Sequence, residues 1–505
     1  SDGSYTMVVN VTARAGNTHS QDFTFVVDTT VSKPVITLVA QSDTGDSQTD
    51  RLTNDTKPQF SFSNIDPDVY TLQVVLNGIT YDVAKNAQGE WQWTAPELAA
   101  GSYTLTAIVT DKAGNLSTQS LSFVVDTFVR IDGIEMSEDT GYSGSDHLTS
   151  DTRPAFTVRV ADDVSHVYAS LDGGARVSLT KHTGKWVFNC PEALPDGAHS
   201  LAIEVNDKAG NSATQHLDFV VDTTLAPVTV DLRDPDDSGI SEVDNYTRTT
   251  QPMFVFTGIP ADAHSLTVRL GGQTYTVNLS STPVSFTPPA ALQDGAYTLE
   301  VQVTDKAGNV KDSAIAFTID TQTAVSVDFA VGDDTGRSDS DNCTTQNMPT
   351  FNITVPEDVV TVMLVLDNGA QTPVVKDATG KWQFTAPALA DGHHTLVVSV
   401  TDKAGNTAQT SLDFTVDTTL NIPQIALADD TGYLNNDNLI NDATPKFTIS
   451  NVESDVWSVT VLLNGKSYQA EKVNGGWACQ IPDTDALEDG QHTATVRIED
   501  QAGNT

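Results

Sequence analysis

Apolar and polar residues alternate along this chain in short runs, and no stretch carries a helical period. Between Thr30 and Thr127, Val35-Ile36-Thr37-Leu38-Val39 is a β-branched run that predicts a first strand, A. Pro58-Gln59-Phe60-Ser61-Phe62 alternates as strand B, and Tyr70, Leu72, Val74 and Leu76 alternate as strand C. Strand C runs into Asn77-Gly78, a pair suited to a tight hairpin turn because both residues tolerate positive φ. A short strand carries Tyr81 and Val83, and the next carries Trp91 and Trp93. Tyr103, Leu105, Ala107 and Val109 then predict strand F, and Leu121, Phe123 and Val125 predict strand G, which ends at Asp126-Thr127.

This order of elements returns along the chain. The turn after strand F reads Asp-Lys-Ala-Gly-Asn at Asp111–Asn115, Asp207–Asn211, Asp305–Asn309 and Asp402–Asn406, with Asp500–Asn504 and Ala13–Asn17 as variants. The first positions are 98, 96, 98, 97 and 98 residues apart, and a fixed period of this size means an array of like modules. About seven short strands per module, with turn residues between them, predict an all-β fold: a tandem array of seven-stranded Ig-like β-sandwiches joined end to end in a rod. The expected boundaries are 30–127, 128–223, 224–321, 322–418 and 419–505, the last lacking its final strand. Residues 1–29 are expected to supply only strands F and G, so both ends read as cuts through a module.

The counterparts of Asn77-Gly78 are Asp172-Gly173, Gly271-Gly272, Asn368-Gly369 and Asn464-Gly465. Gly101-Ser102-Tyr103 has the form of a tyrosine corner, with Tyr5 and Tyr297 in the same slot. His199, His394 and His492 replace it elsewhere and are read as structural substitutes. Trp91, Trp186, Trp382 and Trp477 recur at one position and are read as core residues; Pro283-Val284 takes that place in the third module.

Composition narrows the chemistry. The 505 residues carry 67 Asp and Glu against 26 Lys and Arg, a net charge of −41, which repels nucleic acid and anionic membranes and attracts divalent cations. Cys190, Cys343 and Cys479 lie in different modules and form no disulfide framework, so small domains outside the cell would need another staple, and a metal is one option. No apolar run approaches the ~18 residues of a membrane span, and none is expected to insert in one.

Three acidic motifs recur. The A–B loop carries pairs seven residues apart: Asp43 and Asp50, Asp139 and Asp146, Asp237 and Asp244, Asp334 and Asp341, Asp430 and Asp437. Strand G ends in Asp-Thr at Asp28, Asp126, Asp222, Asp320 and Asp417. The F–G turn supplies the third. In an Ig-like sandwich the A–B loop and the end of strand G share one pole, which faces the F–G turn of the following module. Asp43, Asp50 and Asp126 are therefore expected to converge with Asp207. The next sets are Asp139, Asp146, Asp222 and Asp305; Asp237, Asp244, Asp320 and Asp402; and Asp334, Asp341, Asp417 and Asp500. Asp111 is expected to share a site with Asp28, whereas Ala13 leaves its own turn without a ligand. Like charges brought together raise one another's pKa, and a hard cation with oxygen ligands, calcium before magnesium, relieves this. Zinc is disfavoured by the lack of His or Cys in the clusters. The alternative is that these motifs are plain turns, with Asp capping its own loop and Gly taking positive φ.

Tandem units with Asp-Thr-Gly in one loop, Asp-Thr at a strand end and Asp-Lys-Ala-Gly-Asn in a turn resemble the bacterial Ig-like repeats of giant non-fimbrial adhesins exported by type I secretion. The resemblance spans nearly the whole chain. It implies an extracellular stalk at the bacterial surface, stiffened by calcium at its junctions, with neighbouring repeats as partners and a role in host-cell adhesion or biofilm. The chain departs from the pattern at Ala13, at Ala100 where Asp196 stands elsewhere, and at Arg248-Thr249-Thr250 where the first whole module has Asn54-Asp55-Thr56. An alternative is an array that binds host glycans directly through aromatics such as Tyr142, Tyr433 or Trp457. An enzyme is not expected, since no nucleophile elbow, phosphate-cradling loop or hydrolase metal motif is present.

Overall fold

The computed structural model describes residues 1–505 and is all β apart from one 3₁₀ turn at Asp483–Asp485. Contacts divide it into two compact units. One comprises Ser1–Ala226 with the loops Pro260–Ser265 and Val303–Lys311; the other comprises the rest.

Within the first unit, residues 1–29 form a bare hairpin of Gly3–Thr12 and Thr18–Val27. The first whole sandwich follows. Strand A (Val35–Leu38) pairs with strand B (Gln59–Ser63), which pairs with strand E (Trp91–Thr94). The opposing sheet places strand G (Leu116–Val125) beside strand F (Gly101–Asp111), then strand C (Val69–Leu76) and C′ (Ile79–Asp82). A two-residue strand, Leu52–Thr53, runs parallel to the end of strand G. The second repeat repeats both sheets, and in the other unit so does the fourth.

Alternation builds the core. Leu72, Val74 and Leu76 of strand C, Leu105, Ala107 and Val109 of strand F, and Leu121, Phe123 and Val125 of strand G all face inward onto Phe60 and Phe62. Tyr70 departs from the expected alternation and is 74% exposed. A bulge opposite Thr110 and Asp111 shifts the register at the start of strand C, so Val69 takes the inward place instead. Trp91 and Trp93 pack on the core, as does each recurring Trp in its own repeat. The hairpin turns at Asn77-Gly78, Asp172-Gly173, Gly271-Gly272 and Asn464-Gly465 have both residues at positive φ. In the fourth repeat that conformation falls one residue earlier than expected, on Asp367 and Asn368.

The corner at the start of strand F is closed by a side chain reaching four residues back. Tyr103 Oη donates to Ala99 O at 2.8 Å and Tyr297 Oη to Gln293 O at 2.9 Å. His199 does the same job with Nε2 2.9 Å from Pro195 O, and its Nδ1 lies 2.7 Å from an Asp172 carboxylate oxygen. A carbonyl and a carboxylate can only accept, so both ring nitrogens must donate and the ring is an imidazolium. Burial opposes that charge, but the bonds to Asp172 and Pro195 outweigh it and raise the His199 pKa above its ordinary value. A raised folded pKa stabilises fully below the unfolded value of about 6.5 and is lost as pH climbs through the folded value. His199→Tyr, which restores the corner of the first and third repeats, is therefore expected to abolish the loss of second-repeat stability that sets in as pH rises above about 6.5, and stability is compared below and well above that value. Melting curves of the two chains at both pH values provide the check.

Candidate metal centre

Five places bring three carboxylates together: Asp28 with Asp68 and Asp111; Asp126 with Asp163 and Asp207; Asp222 with Asp262 and Asp305; Asp320 with Asp358 and Asp402; Asp417 with Asp455 and Asp500. In each group one oxygen from every residue lies within 4.8 Å of the others. The first Asp ends a strand G, and the other two belong to the following repeat.

Local structure sets each member. The strand-G Asp is fixed by the short parallel strand: Asp126 N donates to Thr53 O at 2.8 Å, and Asp222 N to Thr149 O at 2.9 Å. The middle Asp stands just before strand C, at the bulge where Val164 pairs with Asp207. Its carbonyl accepts from the F–G turn, Lys208 N to Asp163 O at 3.2 Å, so the two loops are laced together. The F–G Asp caps its own turn, with Asp207 Oδ1 accepting from Asn211 N at 2.8 Å and Oδ2 from Asn211 Nδ2 at 2.7 Å. The same Nδ2 also donates back across the junction to Asp126 O at 2.9 Å. Asn115, Asn309, Asn406 and Asn504 make the equivalent bonds to Asp28, Asp222, Asp320 and Asp417 at 2.8–3.1 Å. Asn is thus a bridge between repeats and not only a shaper of the turn.

Electrostatics make the groups costly as they stand. Burial, then Asp207 and Asp163, push the Asp126 carboxyl up, and Asp222 is raised by burial with Asp305 and Asp262. Asp320 is pushed up to about 6 by burial and Asp358, and Asp417 to about 6 by burial with Asp455 and Asp500 beside it. Asp163 Oδ1 and Asp320 Oδ2 are buried without a hydrogen-bond partner. Oxygen-only donors, close spacing and orphaned buried oxygens fit a hard divalent cation and fit zinc poorly.

The A–B loop carboxylates do not join these groups, contrary to the expected convergence. Asp43 turns inward and accepts from Arg51 N at 3.1 Å, while Asp50 Oδ1 accepts from Leu52 N at 3.1 Å. Asp139 and Asp146, Asp237 and Asp244, and Asp334 and Asp341 close their loops the same way, each first member taking the amide eight residues on. The seven-residue spacing therefore serves loop closure. Asp139, Asp237 and Asp334 each keep Oδ1 buried and unpartnered.

The middle Asp was missed by sequence reasoning, yet a signal exists. Asp68, Asp163, Asp262, Asp358 and Asp455 recur at intervals of 95, 99, 96 and 97 residues, always one residue before strand C takes up its alternation. Two of the aromatics considered for glycan contact also touch the neighbouring repeat while staying exposed. Tyr142 packs at a tilt against His264 of the next repeat, with ring centroids 3.8 Å apart, and Trp457 lies under Arg337 at 5.4 Å.

The family model described as bacterial Ig-like domain matches residues 30–127, 129–223, 224–321, 322–418 and 419–505. The chain belongs to the bacterial Ig-like domain family. Among solved structures, these Ig-like repeats are similar to a tetra-tandem repeat in the extending region of a large adhesion protein, 20% identical over 77% of this chain and 100% of that one, TM-score 0.31. They are similar also to a Ca2+-stabilized adhesin with which an Antarctic bacterium reaches out and binds ice, at 21% identity over 77% and 100% of the chains, TM-score 0.27. A third is a 1.5-MDa bacterial ice-binding adhesin, 18% identical over 58% and 98%, TM-score 0.30. These likenesses concern the fold alone. No curated protein is matched by the Ig-like array. No helix is long and apolar enough to cross a membrane.

Proposed function

We propose that this array of Ig-like repeats is a stalk segment of an exported bacterial surface adhesin, with calcium bound at the junctions between repeats. Its role is mechanical: it holds a distal adhesive part towards host cells or a biofilm matrix. The observation that carries the reading is that every carboxylate triad takes its members from two successive repeats. A cation there ties one repeat to the next without being needed for either core. Carboxylate-rich extracellular sites bind calcium at about 10⁻⁴ to 10⁻³ M, so such joints stay open in the cytosol and close outside the cell.

Calcium titration of the full chain by calorimetry is expected to show uptake near one ion per triad, five in all. Small-angle scattering should report a larger maximum dimension with calcium than with chelator. Identical scattering in both conditions would sink the stiffening role, and failure to take up calcium would sink the site assignment.

A further inference from the structure

The Asp-Lys-Ala-Gly-Asn turn is gripped on a second side. While its Asp and Asn face the triad, its central carbonyls face the A–B loop of the preceding repeat. Thr44 Oγ1 donates to Ala209 O at 2.7 Å, Thr140 to Ala307 O at 2.8 Å, Ser238 to Ala404 O at 2.7 Å and Thr335 to Ala502 O at 2.6 Å. One residue earlier in the turn, Lys208 O accepts from Asp46 N at 3.2 Å, Lys306 O from Tyr142 N at 3.1 Å and Gln501 O from Arg337 N at 3.2 Å. Gly45, Gly141, Gly239 and Gly336 sit at φ of +89° to +107°, and a Cβ on any of them would stand 1.9–2.1 Å from that carbonyl. Glycine is required there by conformation and by contact together. Arg248, which departs from the first repeat's Asn54, adds a bond from Nη1 to Gly405 O at 2.8 Å.

Within residues 1–505, two places hold one half of this contact alone. The turn at Asp111–Asn115 meets no A–B loop, and there Ala113 is exposed, whereas Ala209, Ala307 and Ala404 are fully buried. Asn115 still bridges to Asp28 O, so the triad side forms without the other. Conversely, the A–B loop of the fifth repeat holds no turn. Thr431 Oγ1 donates to Asn441 Oδ1 of its own loop, and at Gly432, which is outside the left-handed region, a Cβ would meet Leu439 O of the same loop at 2.7 Å.

We propose that the A–B loop is a metal-independent clasp for the Lys-Ala-Gly (or Gln-Ala-Gly) segment of the next repeat's turn. Each such junction then has two separate fastenings. Loss of the cation leaves the carboxylate side with the Asn bridge alone, and the clasp then carries most of the joint. All its donors and acceptors are neutral backbone or hydroxyl groups apart from Arg248, so neither calcium nor the function proposed above is needed for it.

Hydrogen–deuterium exchange of the full chain, with calcium and with chelator, tests this. In chelator, segments 43–47, 139–143 and 334–338 are expected to exchange about tenfold more slowly than 430–434, the unfilled loop, as one to two retained hydrogen bonds dictate. Equal rates in chelator overturn the proposal. Gly141→Ala is expected to raise exchange at 139–143 and in the facing turn at 305–309 to the unfilled rate, with calcium uptake unchanged; a folded variant with unaltered exchange also overturns it. The chelator comparison needs no variant, so misfolding of Gly141→Ala leaves the decision intact. Absent calcium uptake with protection retained would count against the calcium reading alone.

Discussion

Asp163→Asn is expected to lower the chain's calcium content by one while every repeat stays folded. Asp163 supplies one of three carboxylates to its triad, and its Oδ1 is buried with no protein partner, so little in the second repeat depends on it except the proposed cation. Removing one charged ligand from a hard-cation site costs at least about 1.5–3 kcal/mol, or roughly 10- to 150-fold in affinity. The other triads share no residue with this one, so their affinities should hold. The pH response follows from the raised carboxyls. With folded values of about 6 at Asp320 and Asp417, protons compete with calcium, and affinity at those two junctions should fall as pH drops below about 6. Without the cation the sign reverses: those junctions are best tolerated in acid and lose stability as pH rises through about 6, because charged carboxylates are then forced together. Calorimetric titration of both chains at pH 7.5 and 5.5 measures each effect. Undiminished calcium content in Asp163→Asn would exclude the triad as the binding place.

How far this site could be read from residues depends on what kind of information each member carries. The strand-G Asp and the F–G Asp were legible because their motifs recur with little change, the F–G turn departing only at Ala13-Arg14 and Gln501, and because both fall at known ends of strands. Asp163 and its counterparts sit in changing company: Pro-Asp-Val, Asp-Asp-Val, Ala-Asp-Ala, Glu-Asp-Val and Ser-Asp-Val. Only their period betrays them. The A–B loop was placed at the correct pole, since Thr44 does meet Ala209, but a pole is not a direction. Asp43 and Asp50 close their own loop by accepting from the amides of Arg51 and Leu52, and spacing alone does not reveal those partners. The fold was legible more fully, because alternation is a property of every strand. It failed at Tyr70, where a one-residue bulge changes which side faces inward.

Phe156→Ala should be the most damaging single change within a core. The ring is fully buried between the sheets of the second repeat, 5.1 Å from the Phe219 ring and 6.3 Å from that of Phe188. Loss of its transfer energy and the cavity left behind cost about 3–5 kcal/mol. In a domain of this size each kcal/mol lowers the melting temperature by roughly 4–8 °C. The effect should be confined to one repeat, since the cores are separate clusters and Phe156 contacts no neighbour's core. Calorimetry should therefore resolve one early transition while the remainder of the trace stays in place; a concerted shift of the whole trace would mean the repeats unfold as one body.

Each repeat brings the strand-G Asp and the A–B loop at one end, and the pre-strand-C Asp with the F–G turn at the other. Any repeat can therefore meet any other. Unequal recombination that inserts or deletes a whole period rejoins a far end to a near end and regenerates a complete joint at the seam. A cut that falls inside the period is repaired equally well if it falls at the same position in both partners. The length of such an array can then change by whole repeats while every seam regains its triad and its clasp, and only side-chain pairs particular to one junction, such as Tyr142 with His264 or Arg248 with Gly405 O, are exchanged; reach becomes a quantity that changes by copy number instead of by point substitution.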